Sequence, residues 1–421
     1  MENLVLEPEI LKLGKEAEQE IQTITSQIEE VSFYNHQKVL QAFQAAQVSD
    51  YHLKPGSGYG YDDLGRDKLE EVYCRIFKTE AALVRGQIVS GTHALALCLF
   101  GLLRPGDELL SVQGGLYDTL ATMIGLRENG MGTLKDWGVS YREIKPGADG
   151  YPDPELIRQA IKPQTKMVTL QRSRGYSLRP SLELAKMQEI IQVIRSCKED
   201  IVIMVDNCYG EFVEKLEPTE IGADLMAGSL MKNPGGGLIP SGGYVVGKEK
   251  YVQMAAARWT APGIGGEVGP APEFIRLMYQ GLFMAPQIVA GALQGAVFTA
   301  RLLEKMGFKA YPAYDQKRTD IIQSLVLDKA ENLIAFCQGI QAASPIDSHV
   351  RPIPDPMPGY ADPIIMAAGT FIQGATLEMS ADAPLREPFA VYLQGGLSPH
   401  YAKLAVLNAA SFLYRYLANK G

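Results

Sequence analysis

Residues 201–209 read IVIMVDNCY, five consecutive apolar residues, four of them β-branched, that stop abruptly at Asp206. A run this short and this uniformly apolar is a strand buried on both faces, and it ends where a sheet opens to solvent. On either side the same signal recurs in ELLSV (108–112), VSYREI (139–144), KMVTLQ (166–171), DLMAGSL (224–230) and YVV (244–246), with helical periods between the runs. The alternation predicts an α/β domain whose mainly parallel sheet lies between helices. Asp153-Pro154 reads as a helix start, and Pro180-Ser181-Leu182-Glu183 opens a run to Cys197. Upstream, Ile10, Leu13, Ala17, Ile21, Ile24, Ile28 and Val31 fall at three- and four-residue steps, an amphipathic helix. Downstream of a helical stretch at 287–306, short strands and helices rich in proline and glycine predict a smaller α+β domain. The expected division is an N-terminal helical segment at 1–50 that packs on the small domain or on a neighbouring subunit, a large domain at 51–300 and a small domain at 301–421.

The totals narrow the class of function. With 421 residues, 46% hydrophobic and 21% charged, the chain has the balance of a globular protein of two domains. A net charge of −8 argues against a nucleic-acid or anionic-membrane partner, since both require a positive surface. Five scattered cysteines with no CxxC pair fit reduced thiols and a cytoplasmic setting, and no basic-then-apolar leader or long apolar run is read. The five histidines are dispersed, so no metal is expected.

In an open α/β sheet, chemistry gathers at the carboxyl ends of strands. Asp206 is placed there, where its carboxylate can hold the pyridine nitrogen of pyridoxal 5′-phosphate (PLP) protonated, or simply cap a turn. Tyr209 could reach the ring's phenolic oxygen. Lys232 ends the strand-like GSLMK, and a desolvated, partly neutral amine there suits Schiff-base chemistry, though a solvated surface lysine gives the same letter. A nucleotide P-loop fits poorly, because the glycines of NPGGG follow the lysine. Ser90-Gly91-Thr92, at the start of the apolar run 94–103, is a candidate phosphate turn or an ordinary helix cap. Ser229 could add a hydroxyl to the same phosphate. Tyr117, after ELLSV, could lie on the cofactor ring or be a half-buried aromatic.

Taken in order, SGT, a tyrosine after the next strand, VDN, and a serine three residues before a lysine resemble PLP enzymes of the aspartate aminotransferase fold (fold type I). More narrowly, SGYGYDDLGRDKLE, SGTHA, VDNCYGEF, GSLMKNPGGG and LREPFAVYLQGG resemble the cystathionine lyase and methionine γ-lyase group, especially its aluminium-resistance branch, over residues 55–400. The resemblance implies that Lys232 carries the cofactor as a Schiff base, Asp206 pairs with the pyridinium, Gly91, Thr92 and Ser229 hold the phosphate, and Tyr117 stacks. It further implies that Arg386 takes the substrate carboxylate, and that Tyr59, Tyr61 or Arg66 reach a neighbouring subunit's phosphate in a homodimer, commonly paired into a tetramer. Their glycine-rich setting departs from the usual motif. So does Gln171-Arg172-Ser173-Arg174, where the arginines could bind a second substrate acid or bridge a subunit contact. The Asn233-Pro234 pair after Lys232 also differs from the commonest lyase pattern.

The activity expected from the resemblance is β- or γ-elimination on a sulfur-containing amino acid such as cystathionine, methionine or a cysteine derivative. The alternatives are another PLP enzyme (aminotransferase, aldolase or synthase) or a PLP-binding regulatory protein with little turnover.

Overall fold

Every residue of IVIMV is buried, and its alternate side chains enter different cores. Val202 and Met204 join one cluster with Leu95 and Leu99 of the helix Gly91–Leu102 and with Val252 and Ala255 of the helix Glu249–Trp259. Ile203 and Val205 join another with Met187, Ile190 and Ile194 of the helix Leu184–Cys197. Helices on both faces are why the strand is apolar without alternation. The computed structural model describes residues 4–127, 131–357 and 362–419.

The strands of this sheet are β1 (Ala81–Arg85), β2 (Glu108–Ser111), β3 (Ser140–Glu143), β4 (Thr165–Gln171), β5 (Val202–Asp206), β6 (Leu225–Ser229) and β7 (Gly243–Gly247). Their order is β1-β7-β6-β5-β4-β2-β3. The run from β3 to β6 is parallel, and β7 is antiparallel to both β6 and β1. The register sets Gln171 opposite Asp206 and Asp206 opposite Ala227, so the ends of β4, β5 and β6 share one rim. Strand β1 was absent from the sequence reading, because a charged or polar residue flanks its short apolar stretch at each end. The helix after Pro180 starts only at Leu184, and the one expected at Gln287 starts at Ile275.

Two compact units emerge, one comprising Asn35–Phe283 and the other Met1–Tyr34 with Met284–Gly421. Both boundaries differ from 50/51 and 300/301 because each falls inside a helix, Gln22–Ala45 or Ile275–Lys305, whose apolar period runs on without a compositional mark. Among the described residues Ile275–Lys305 has the length and composition to cross a membrane, but 78% of its most apolar window is buried inside the protein, as in a core helix.

The second unit has its own antiparallel sheet, ordered β10-β11-β12-β9-β8, from β8 (Lys309–Tyr311), β9 (Gln323–Val326), β10 (Ile364–Ala367), β11 (Ser380–Pro384) and β12 (Ala390–Gln394). Leu325, Ala381, Val391 and Leu393 pack with Leu333, Phe336, Val406 and Leu413 of the helices Ala330–Ala342 and Pro399–Ala418. The single N-terminal helix expected from Ile10 to Val31 is broken at Ile21 into Pro8–Glu20 and Gln22–Ala45. Its first piece is tied to the C-terminal helix: Val5 N donates to Asn408 Oδ1 (2.6 Å) and Glu7 N to Ser411 Oγ (3.0 Å).

Candidate active site

Asp206 closes β5 at 5% exposure, and its Oδ1 accepts from Cys208 N at 3.1 Å. The residues after it divide between support and site. Asn207 turns inward, where its Oδ1 accepts from Arg172 Nη1 (3.0 Å) and its Nδ2 donates to Glu217 Oε2 (3.0 Å). Tyr209, held at φ +73°, returns toward the rim, and the Lys232 amine lies 4.0 Å from its ring centroid.

Lys232 follows β6 in a loop shaped by its own backbone. Leu230 N donates to Gly242 O, Gly235 N to Lys232 O, and Gly236 takes φ +55°, a conformation that glycine adopts without strain. Ser229 Oγ accepts from Met231 N at 3.2 Å. Against this loop sits the Ser90 turn. Ser90 caps the helix Gly91–Leu102, its Oγ accepting from His93 N, and a methyl group at Gly91 would lie 3.2 Å from both Ser229 Cβ and Cys208 Sγ. Only a glycine brings the turn this close. The N–H groups of Gly91 and Thr92 have no protein acceptor among the described residues, so the first turn offers two donors and the positive end of the helix. Thr92 Oγ1 is 3.5 Å from Tyr117 OH.

Electrostatics couple these groups. Burial pushes the Asp206 carboxyl upward, and the Lys232 charge opposes it. Burial also pulls the Lys232 amine down, yet Cys208, Tyr209, Asp206 and Tyr117 together carry it well above its ordinary value. The expected lowering of the lysine's pKa is therefore corrected: its neighbours raise it. Burial pushes the Cys208 thiol and Tyr117 hydroxyl far up as well.

The arginines singled out by the sequence each have intramolecular partners. Arg172 is fully buried and bridged to Glu214 (3.2 Å) and Glu217 (3.1 Å) of its own unit. Arg174 is 5% exposed and donates to Ser181 Oγ at 3.3 Å, drawn into the loop that follows β4. Arg66 is 5% exposed and donates to Gly60 O (2.7 Å), Gly269 O (3.1 Å) and Asp67 (2.7 Å). These bonds brace the 56–63 loop. Tyr59 and Tyr61 are the outward groups of that loop, 72% and 65% exposed with ring centroids 5.6 Å apart. Arg386, in the other unit, is half exposed and donates to Asp362 at 3.1 Å.

Arg179 belongs to no motif, yet its charge bears on Asp206 and its Nη2 donates to Ser173 O at 2.6 Å. The signal was its place as the third arginine after the strand beside β5. Glu211 and Glu217 likewise follow VDN too closely to stand out as independent motifs.

The donor set suits PLP: a buried acid for a pyridine nitrogen, an amine for an aldehyde, aromatic rings, and a glycine-tight turn with free N–H groups for a phosphate.

Comparison with known proteins agrees. The methionine gamma-lyase family model matches residues 10–414. An uncharacterized protein, YnbB, of Bacillus subtilis is 52% identical over 404 residues, 96% of each chain. The solved structure of a candidate cystathionine beta-lyase involved in aluminum resistance from Listeria monocytogenes is 50% identical with a TM-score of 0.93, covering 95% of this chain and 99% of that one. The pyridoxal-5′-phosphate-dependent protein YhfS of Escherichia coli, at 17% identity and a TM-score of 0.59 over 94% of this chain and 97% of its own, shares the fold. With the fold of type I PLP enzymes, and matched along nearly its whole length, this chain belongs to the methionine gamma-lyase family.

Proposed function

We propose that this chain is a PLP-dependent carbon–sulfur lyase that releases a thiol from a sulfur-containing amino acid by β- or γ-elimination. The observation that carries the reading is the meeting of Lys232, Asp206 and the Ser90-Gly91-Thr92 turn with Ser229 in one unit. Asp206 would hold the pyridine nitrogen, Lys232 the aldehyde carbon, and Ser90, Gly91, Thr92 and Ser229 the phosphate, with Tyr117 and Tyr209 against the ring. When bound, the cofactor supplies an electron sink for charge developing at the substrate's α carbon.

The chain's own groups do the rest. Asp206 keeps a proton on the pyridine nitrogen through an ion pair in a site from which most water is excluded. The Lys232 amine takes the α proton as general base, a role worth roughly 10²- to 10⁴-fold in rate. Tyr117 and Tyr209 bound the site with apolar ring surface that also excludes water. Arg386 is proposed for the substrate carboxylate, whose two oxygens match a guanidinium's fork. Tyr59 and Tyr61 are proposed to complete the phosphate site of a second copy, which makes the homodimer the active unit.

The test is to incubate purified enzyme with cystathionine, methionine, cysteine and S-alkyl cysteines and to measure thiol, ammonia and keto acid. Thiol and ammonia released without an added acceptor keto acid support elimination; strict dependence on an acceptor assigns the chain to the aminotransferases. Lys232→Ala is expected to lose the visible absorbance of the cofactor adduct, and a borohydride-reducible adduct retained by that variant would refute the assignment of Lys232.

A further inference from the structure

Behind the lysine loop lies a carboxyl that the chemistry above does not use. Glu211 is fully buried; its Oε1 accepts a 2.7 Å hydrogen bond from Tyr244 OH, and its Oε2 is buried with no hydrogen-bond partner. Its main-chain oxygen accepts from Asn233 Nδ2 at 2.9 Å, and Asn233 directly follows Lys232. The local backbone is built around this placement. Tyr209 (φ +73°) and Phe212 (φ +63°) are both left-handed, so the turn sets the Tyr209 ring beside Lys232 while Glu211 lies against Tyr244. Gly228 makes the room: a methyl group there would lie 2.7 Å from both Glu211 Oε1 and Tyr244 OH. Two strained residues and a glycine committed to one buried acid are more than packing requires.

A carboxyl with an unmatched oxygen in a dry site is far cheaper neutral than charged. The titratable groups facing it are Tyr244 on β7, Tyr73 on the helix Leu64–Phe77, Glu217 on the following turn, Lys232 on its loop, and Cys208. Burial raises Glu211 most and Glu217 adds to it, while Tyr244 and Lys232 oppose; the balance is pushed up to about 8.

We propose that Glu211 is a positioning residue of the Lys232 site: clamped by Tyr244 and hooked through Asn233 to the loop that carries the amine, it stays uncharged while the site works and, once ionised, makes the amine hold its proton more tightly still. The proposal rests on the reading of Lys232 as the reactive amine.

The experiment uses the cofactor-free full chain and no substrate, so failure of the lyase reading, seen as absent thiol release, is a separate result. Lys232 is trace-labelled with acetic anhydride from pH 6.5 to 9.5 and quantified by peptide mass spectrometry against the exposed lysines. Glu211→Gln should label like the parent at pH 6.5 and faster above pH 8, by roughly three- to tenfold, the scale of one unit charge whose effect solvent and protein dipoles largely screen. Tyr244→Phe, which removes a bond that favours the ionised acid, should move the parent's inflection to higher pH. Chemical unfolding gives a second readout. The unfolded chain releases this proton near the ordinary glutamate value while the folded chain keeps it to about 8, so the parent should lose stability relative to Glu211→Gln across that window and no further above it. A labelling ratio that stays flat across the range, or an inflection that Tyr244→Phe leaves in place, overturns the proposal. If Glu211→Gln does not fold, the Tyr244→Phe result decides alone.

Discussion

The Lys232 amine lies above its ordinary value because Cys208, Tyr209, Asp206 and Tyr117 together outweigh its desolvation. The direction of that shift fixes a pH dependence. An amine whose folded value lies above its unfolded one adds stability that is fully present below the unfolded value, about 10.4, and is lost as pH rises through the folded value. Cofactor-free protein compared with Lys232→Met in urea should therefore show no loss of the difference from pH 7 to about 10 and lose it above that. A difference that already shrinks between pH 7 and 9 would contradict the raised amine. Gly91 supports a second expectation. A methyl group 3.2 Å from Ser229 Cβ and Cys208 Sγ forces the turn outward by a few tenths of an ångström, so Gly91→Ala should weaken PLP binding about tenfold, the effect of roughly 1.4 kcal/mol, in a titration of cofactor-free protein. Asp206 and Lys232 were legible in the sequence because each ends an apolar run. Arg172 and Arg66 were not, since residue order does not tell a guanidinium sealed among carboxylates and carbonyls from a solvated one.

At the scale of elements, the segment 206–217 joins catalytic geometry to the core. Arg172, on the residue after β4, bridges Asn207, Glu214 and Glu217, and Phe212 N donates to Glu217 Oε1 at 2.9 Å. Removing the guanidinium leaves Glu217, itself fully buried, without its countercharge. Arg172→Ala should destabilise the protein by about 3–5 kcal/mol in urea unfolding, the penalty of an orphaned buried charge. A loss under 1 kcal/mol, about that of an exposed pair, would show that the network relaxes into water. The elements that sequence periodicity exposed are those with one dominant environment, such as β5 with its five buried residues. Those it hid mix environments. Strand β1 carries Arg85, whose buried side chain pairs with Glu70 and lies over Trp259, and the helix Ile275–Lys305 contains Gly281 and Pro286, which read as breakers.

For the whole molecule, the division into two units was legible as a change of pattern but not as a boundary, because helices cross both seams. The proposed dimer is testable through the tyrosine pair that the 56–63 loop displays. If Tyr59 and Tyr61 serve a second copy, Lys232→Ala and a Tyr59→Ala/Tyr61→Ala variant are each inactive alone. Unfolded together and refolded, they should regain about a quarter of parental activity, since half the dimers are mixed and each mixed dimer has one intact site. No recovery, with mixed dimers shown by mass spectrometry, would place both tyrosines outside a shared site. The buried charges under Asp206 also bear on how this scaffold can be redesigned. A floor made of Arg172, Asn207 and Glu217 tolerates little substitution, so libraries seeking new substrate preference should leave 206–217 fixed and vary the partly buried rim at 175–180.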